Sequence, residues 1–440
     1  MESCRPMVAH QKPGSTLGLH VIEDYEPLIG AAAVDRITRK AAALNAPHIV
    51  HVSSTYYGGG VAELLTPLTL MMNSLGIETG WRMLQGTPAF FACTKKIHNM
   101  LQGDADSALS DREKAILEQV AFENAIRTHI EDCDVVIVHD PQPLPLVRHF
   151  QGLDTPWIWQ CHVDLSSPNP SAWQYLRTFI EQYDAAVFSL PEYAKPLTVP
   201  QRFIAPAIDP FSEKNRELSD AEIHACLTRY GIPTDRPLVT QVSRFDRWKD
   251  PVGVIEAFRR VGKRVDCTLV LVGNSALDDP EAEEMLATIR GLIDERVLII
   301  TADDPTLVNA LQRTAAVVLQ KSTREGFGLT VTEAMWKGAA VVGGNVSGIR
   351  RQIRNGHNGF LVDTVDEAAE RIVQLLTDQK LRVELGTRAR ESVRQHFLMS
   401  RLLEDWIDLI SSVASGVSEF DATPKHIPSN EKLEKREQCE

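Results

Sequence analysis

The chain predicts an α/β fold of two Rossmann-like halves facing each other across a cleft, with helices at the carboxyl end. Three observations carry that expectation. Short β-branched apolar runs alternate with helical stretches from residue 48 onward. The alternation stops in a polar, proline-containing stretch, Gln201 to Ser219, and then restarts. The strands end in glycines, histidines, acids or cations, and doubly wound sheets bind ligands at those ends.

An alanine-rich helix over 31–44 precedes the first strand, His48 to Ser53. Thr55-Tyr-Tyr-Gly-Gly-Gly60 follows, then a helix from Val61 to Leu75 that stops at Gly76. Strand, triple glycine and helix let backbone amides approach a ligand closely, although the spacing is not the dinucleotide G-x-G-x-x-G. A tight βα turn is the structural alternative. Helical material is expected around 109–130. Asp134 to Asp140 reads as a buried strand delivering His139 and Asp140. Trp157 to Asp164 delivers His162 and Asp164, and Ala185 to Leu190 stops at Pro191. One such histidine is ordinarily a core or capping residue; several strand ends converging on one crevice favour function.

The second half begins with the strand Pro237 to Ser243 and its exit loop, Arg244-Phe-Asp-Arg-Trp-Lys249. Asp250-Pro251 then supplies an N-cap with proline at N1. Further strands are expected at 268–273, 296–300, 315–319, 340–343 and 358–362. Two helices over 366–397, broken near Asp378, and a third from Ser400 to Ser412 close the fold. The domains are expected at 1–205 and 206–398, with a helix at about 399–413 packing back on the first. The charged tail, 414–440, is expected to be disordered.

The stretch Arg324-Glu-Gly-Phe-Gly-Leu-Thr-Val-Thr-Glu333 concentrates the chemistry. It brackets a glycine loop with two carboxylates between a strand and a helix, where free amides suit a phosphate. Thr330 and Glu333 also have the spacing of a capping box, so helix initiation alone is the competing account. Arg244 and Lys249 flank another βα loop; arginine offers bidentate contact to phosphate and lysine a point charge.

Composition sets limits. A chain of 440 residues exceeds one ordinary core, so two or three domains are expected. A formal charge of −13 disfavours a general nucleic-acid surface. Seven scattered cysteines without Cys-x-x-Cys argue against a zinc site or disulfide framework and for a cytoplasmic protein. No apolar run reaches a membrane span, and the first residues lack a signal-peptide core.

Five blocks in order carry a family resemblance over roughly 20–415: residues 51–63, 138–143, 157–169, 241–246 and 324–338. The chain resembles the retaining two-Rossmann (GT-B) glycosyltransferases of family 4, the large group that includes sucrose and glycogen synthases. Within it the chain is similar to the trehalose synthases, which join a nucleotide-activated glucose to glucose. Glu325-x7-Glu333 matches the family's E-x7-E element.

That resemblance implies roles. Arg244 and Lys249 would neutralise a leaving diphosphate, Glu325 would face the donor glucose, and Asp140 and His162 would hold sugar hydroxyls near the reaction. Gly58, Gly59, Gly60, Gly326, Phe327, Gly328, Leu329, Thr330 and Glu333 would contact the donor, Glu333 through the ribose. Glu63, His139 and Asp164 would border the acceptor. The implied reaction makes trehalose from a nucleoside-diphosphate glucose and glucose, with retention, and is reversible in principle. No metal is obligatory; Mg²⁺ is compatible, but no residue cluster asks for it. The expected partners are these small molecules, not nucleic acid or membrane, and a homodimer is one compatible assembly. Phe-Asp-Arg-Trp-Lys-Asp (245–250) departs from an expected Phe-Asp-Pro-Trp-Lys-Gly, which leaves the donor base open. A trehalose phosphorylase, or transfer to another sugar, keeps the fold and changes the reaction. For a sugar phosphate the available first-half cations are Arg82, Lys95 and Lys96.

Overall fold

A computed structural model describes residues 20–54, 59–273 and 280–414. In the first lobe β1 (His48–Ser53), β2 (Glu78–Met83), β3 (Val135–His139), β4 (Trp157–Cys161), β5 (Ala185–Phe188) and β6 (Gln201–Phe203) form one parallel sheet in the order β2-β1-β3-β4-β5-β6. Its helices are α1 (Glu26–Ile29), α2 (Ala31–Ala43), α3 (Gly60–Ser74), α4 (Pro88–Leu101), α5 (Asp111–Ala125) and α6 (Pro170–Ile180).

The second sheet runs β12-β11-β10-β7-β8-β9, also parallel. Its strands are β7 (Leu238–Val242), β8 (Thr268–Gly273), β9 (Val297–Thr301), β10 (Val317–Gln320), β11 (Val341–Gly344) and β12 (Phe360–Val362). Helices α7 (Asp220–Arg229), α8 (Pro251–Val261), α9 (Pro280–Arg290), α10 (Pro305–Thr314), α11 (Leu329–Trp336) and α12 (Ser347–Arg350) alternate with them. The chain continues through α13 (Val365–Thr377), α14 (Gln379–His396) and α15 (Met399–Ala414).

Strand order reverses between β1 and β3 in the first sheet and between β7 and β10 in the second. These are the points at which adjacent crossovers leave on opposite faces and open a crevice. The central strands are buried on both faces, so they read as continuous apolar runs and were legible from sequence. Alternate residues then sort the faces. Ile49, Ile137 and Ile158 meet a core shared with α2, α3 and α15. Val50, Val138 and Trp159 meet α4, α5 and α6.

Three expectations need correction. Gln201–Phe203, placed in a linker, is the edge strand β6, paired with β5. The strand β2 and the helix α4 were not anticipated, although Thr87 and Pro88 start α4 with a side-chain cap and proline at N1. The capping box at Thr330 does not form: α11 begins two residues earlier, with Gly328 as N-cap at φ 86° and no side-chain cap. Glu333 is therefore free of that duty. The break at Asp378 is present, and its side chain caps α14. The tail from residue 415 and Gly58 lie outside the described residues.

The lobes are tied where Ile208 donates to Phe397 O at 2.9 Å and Met399 donates back to Ile208 O at 3.0 Å. Beyond this crossing α15 lies on α2 and α3 of the first lobe. Glu404 of α15 accepts from Arg36 at 2.8 and 2.9 Å and pairs with Lys40 at 2.7 Å. Burial would raise the Glu404 pKa, but hydrogen bonds from Arg36 and Lys40 outweigh it and bring it down to about 2. A carboxylate whose folded pKa is depressed stabilises the fold above its unfolded value and loses that contribution as pH falls. Glu404→Gln should therefore lower the urea midpoint at pH 7, and the gap from the parent should close between about pH 4.5 and 2. A gap independent of pH would assign the loss to packing instead.

Candidate active site

Both reversal points carry the residues singled out from sequence. At the first, β1 leads to Gly59 and Gly60, and β3 ends at His139 with Asp140 next. At the second, β7 leads to Arg244 and Lys249, and β10 to Glu325. The site is where these four strand ends meet.

Lys249 sits at the end of a single 3₁₀ turn, whose N-cap Asp246 accepts from the Trp248 and Lys249 amides. That turn aims Lys249 Nζ at Glu325 Oε2, 2.5 Å away. Ser322 Oγ donates to the same oxygen at 3.1 Å. Both members of the ion pair are largely buried, at 15% and 10% side-chain exposure, so the pair is screened far less than a surface one. Arg244 is half exposed and faces Asp246, the cap of that turn, at 3.2 Å. Lys321 pairs with Asp250, steadying the start of α8.

The glycine loop is pressed against the other lobe. A Cβ on Gly326 would lie 2.2 Å from the His162 carbonyl oxygen, so no other residue fits that approach. Tyr193 OH donates to the carbonyls of Glu325 and Gly326 at 2.9 and 3.1 Å. Asp164 Oδ2 accepts from the Glu325 amide at 3.3 Å, and its other oxygen accepts from Ser166 N at 2.8 Å. Arg324 reaches Ser166 Oγ at 2.8 Å. The loop that holds Glu325 is thus positioned by first-lobe groups. Gly60 is set against Leu329 across the same crevice.

Asp140 adopts φ 65° and accepts from the His162 amide at 2.8 Å. Burial raises its pKa, and burial lowers that of His162. His139 departs from its expected acceptor-facing role. Its two ring nitrogens lie 2.9 Å from His51 and 3.1 Å from His162, so it can reach a ligand only through His162. Asp164 is likewise committed to backbone amides and is 1% exposed, which makes it a tie between lobes. The Phe327 side chain packs on Phe397 at 5.6 Å between ring centres, leaving its main chain at the loop. Thr330 Oγ1 donates to Gln320 at 3.4 Å.

Glu333 is 1% exposed; Oε1 lies 3.5 Å from Lys214, and Oε2 has no hydrogen-bond partner among the described residues. Lys214 also bonds Glu63 of α3 at 2.5 Å. Burial works against the charge of Lys214, yet Glu333 and Glu63 raise its pKa overall. Burial and the Glu333 charge raise that of Glu63. A cavity of about 340 Å³ opens beside this trio, bordered by Leu329, Pro67, Asp209 and Pro305. A buried carboxylate with an unused oxygen at a cavity edge is prepared for a hydroxyl donor.

Lys214, Tyr193, Arg324 and His51 were not read as site residues. Lys214 hides in a polar run that resembles a linker, and Tyr193 lies in the short turn after the strand stop at Pro191. Among the described residues no cluster of His, Cys, Asp and Glu could hold a metal ion. No described helix is long and apolar enough to cross a membrane.

Two family models match the chain: the trehalose synthase N-terminal domain over residues 51–195 and the group 1 glycosyl transferases over 227–392. The trehalose synthase of Pyrococcus horikoshii is 43% identical over 404 residues, 90% of this chain and 97% of that one. The trehalose synthase of Rubrobacter xylanophilus is 40% identical over 409 residues, covering 90% and 98%. Among solved structures, an α,α-trehalose 6-phosphate synthase from Burkholderia multivorans superposes with a TM-score of 0.68 at 16% identity, over 84% of this chain and 99% of that one. That likeness carries the fold.

Proposed function

From a chain that belongs to the trehalose synthase family of GT-B glycosyltransferases, we propose a retaining glucosyltransferase that makes trehalose from a nucleoside-diphosphate glucose and glucose. The observation that carries this reading is the Lys249–Glu325 pair at one strand-order reversal, pressed against His162 and Asp164 from the other lobe. A cation for the diphosphate and a carboxylate for sugar hydroxyls lie within one hydrogen bond of each other.

Glu325 takes the hydroxyls of the donor glucose, which releases Lys249 to the diphosphate. Arg244, half exposed and able to swing, joins it. The donor C1–O bond breaks and a C1–O bond to the anomeric hydroxyl of glucose forms on the same face. The hydroxyl proton passes to the departing phosphate oxygen. The protein contributes orientation and charge stabilisation, and needs no nucleophile of its own. Asp140 and His162 hold sugar hydroxyls from the first lobe, and Gly59 and Gly60 close over the centre. A sugar-phosphate acceptor finds less support: Lys96 pairs with Glu113 at 2.9 Å and Arg82 Nε donates to the Thr128 carbonyl.

Glu333 binds the nucleotide ribose through its unused Oε2. Glu333→Gln is expected to raise the donor KM about tenfold, the value of one charge-assisted hydrogen bond, with kcat little changed. Because Gly328 starts the helix, melting should hardly move; a melting loss with unchanged KM would return Glu333 to a structural role. The whole reading is tested by incubating a panel of nucleotide-glucoses with glucose and scoring trehalose and free nucleotide. Failure with every donor, together with phosphorolysis of trehalose, would overturn it.

A further inference from the structure

The histidines at the ends of the first sheet form a directed chain. His51 pairs in register with Ile137, and His139 with Gln160. Each histidine therefore stands two residues beyond its neighbour's partner, so His51, His139 and His162 climb diagonally across β1, β3 and β4 on one face. Their rings are nearly parallel, 26° and 19° apart, with centres 5.1 and 5.4 Å apart. Those separations exceed face-to-face contact, while the N···N distances of 2.9 and 3.1 Å are hydrogen bonds. The rings meet edge to edge. His51 and His139 are buried, and the far nitrogen of His51, Nε2, has no partner among the described residues. The Trp406 ring covers His51 edge-on at 6.1 Å.

A neutral imidazole has one donor and one acceptor nitrogen. Two consecutive N–H···N bonds therefore force all three rings to point the same way. In one direction His51 Nδ1–H donates to His139 Nε2, His139 Nδ1–H donates to His162 Nε2, and His51 Nε2 is left as a bare lone pair. The reverse direction buries an unpaired N–H at that nitrogen. An N–H buried without an acceptor is the rarer kind of orphan in folded chains, which favours the first direction.

We infer that His51 and His139 are positioning residues that fix His162 in the tautomer carrying hydrogen on Nδ1, making it an obligate donor to a sugar oxygen. This rests on the reading of His162 as a sugar-hydroxyl partner. Its consequence is a sense of direction: the hydroxyl that accepts from His162 must give its own hydrogen elsewhere.

The test uses the full-length protein with ¹⁵N-labelled histidine, the His162 signals being assigned through His162→Gln. Wild-type His162 should show protonated Nδ1 and bare Nε2; a protonated Nε2 overturns the inference. Kinetics supply the second arm. His51→Leu should lower kcat/KM about tenfold, on the scale of one lost hydrogen bond. His51→Asn should recover it to within about threefold, because its amide N–H stands where Nδ1–H stood. Equal losses in both variants overturn the proposal. If wild type turns over no nucleotide-glucose, the proposed reaction fails, while the ¹⁵N measurement still decides the tautomer. If His51→Leu does not fold, the wild-type spectrum decides alone.

Discussion

Lys249→Ala should lower kcat by about two to three orders of magnitude, the scale seen when one preorganised charge-stabilising donor is removed. Its Nζ sits 2.5 Å from Glu325, in a site where both side chains are mostly out of water. In such surroundings a cation at a developing phosphate charge is worth more than at the surface, and no bulk water can replace it. The loss should appear in kcat more than in donor KM, because the charge grows as the bond breaks. Truncation also leaves Glu325 with Ser322 as a hydrogen-bond partner, so some stability should go with it. Steady-state kinetics beside a melting curve separate the two. A variant that is folded and within fivefold of wild-type kcat would remove Lys249 from the leaving-group role.

Trp406→Ala should destabilise the protein by about 3–5 kcal/mol, the usual range for truncating a buried tryptophan. Trp406 is 1% exposed and among the largest fully buried side chains. It lies on α15, which has crossed from the second lobe to rest on α2 and α3. The truncation therefore removes a packing block from the first lobe's core and the cover from His51 together. Urea unfolding and amide exchange along α15 would measure it. A loss below about 1 kcal/mol would mean that α15 is held by its Arg36 and Lys40 ion pairs rather than by its apolar face.

The parts of the fold that sequence missed share a cause. The strand β2 leaves five of its six residues partly or fully exposed, and β6 is three residues long; both lie at sheet edges. Edge strands take their conformation from one neighbour, so their own residues say little. Central strands such as Val135–His139 are buried throughout and announce themselves. Among the candidate site residues, Arg244, Lys249, Glu325 and Glu333 could be singled out because charge at a strand-to-helix loop is local information. Lys214 was not, since its meaning lies in Glu63 and Glu333, 151 and 119 residues away along the chain.

By itself, then, the sequence determined two parallel α/β halves, the central strands of each and which charged groups stand at the ends of those strands. Periodicity and loop chemistry act over a few residues, and a single chain displays them directly. Only the tertiary structure decided how those groups are employed. It made Gly328 the N-cap of α11 and freed Glu333 from capping, engaged Asp164 with backbone amides, and aligned histidines from β1, β3 and the end of β4 in one hydrogen-bonded row. Register between strands that lie far apart in the chain is set by packing, and no local pattern records it.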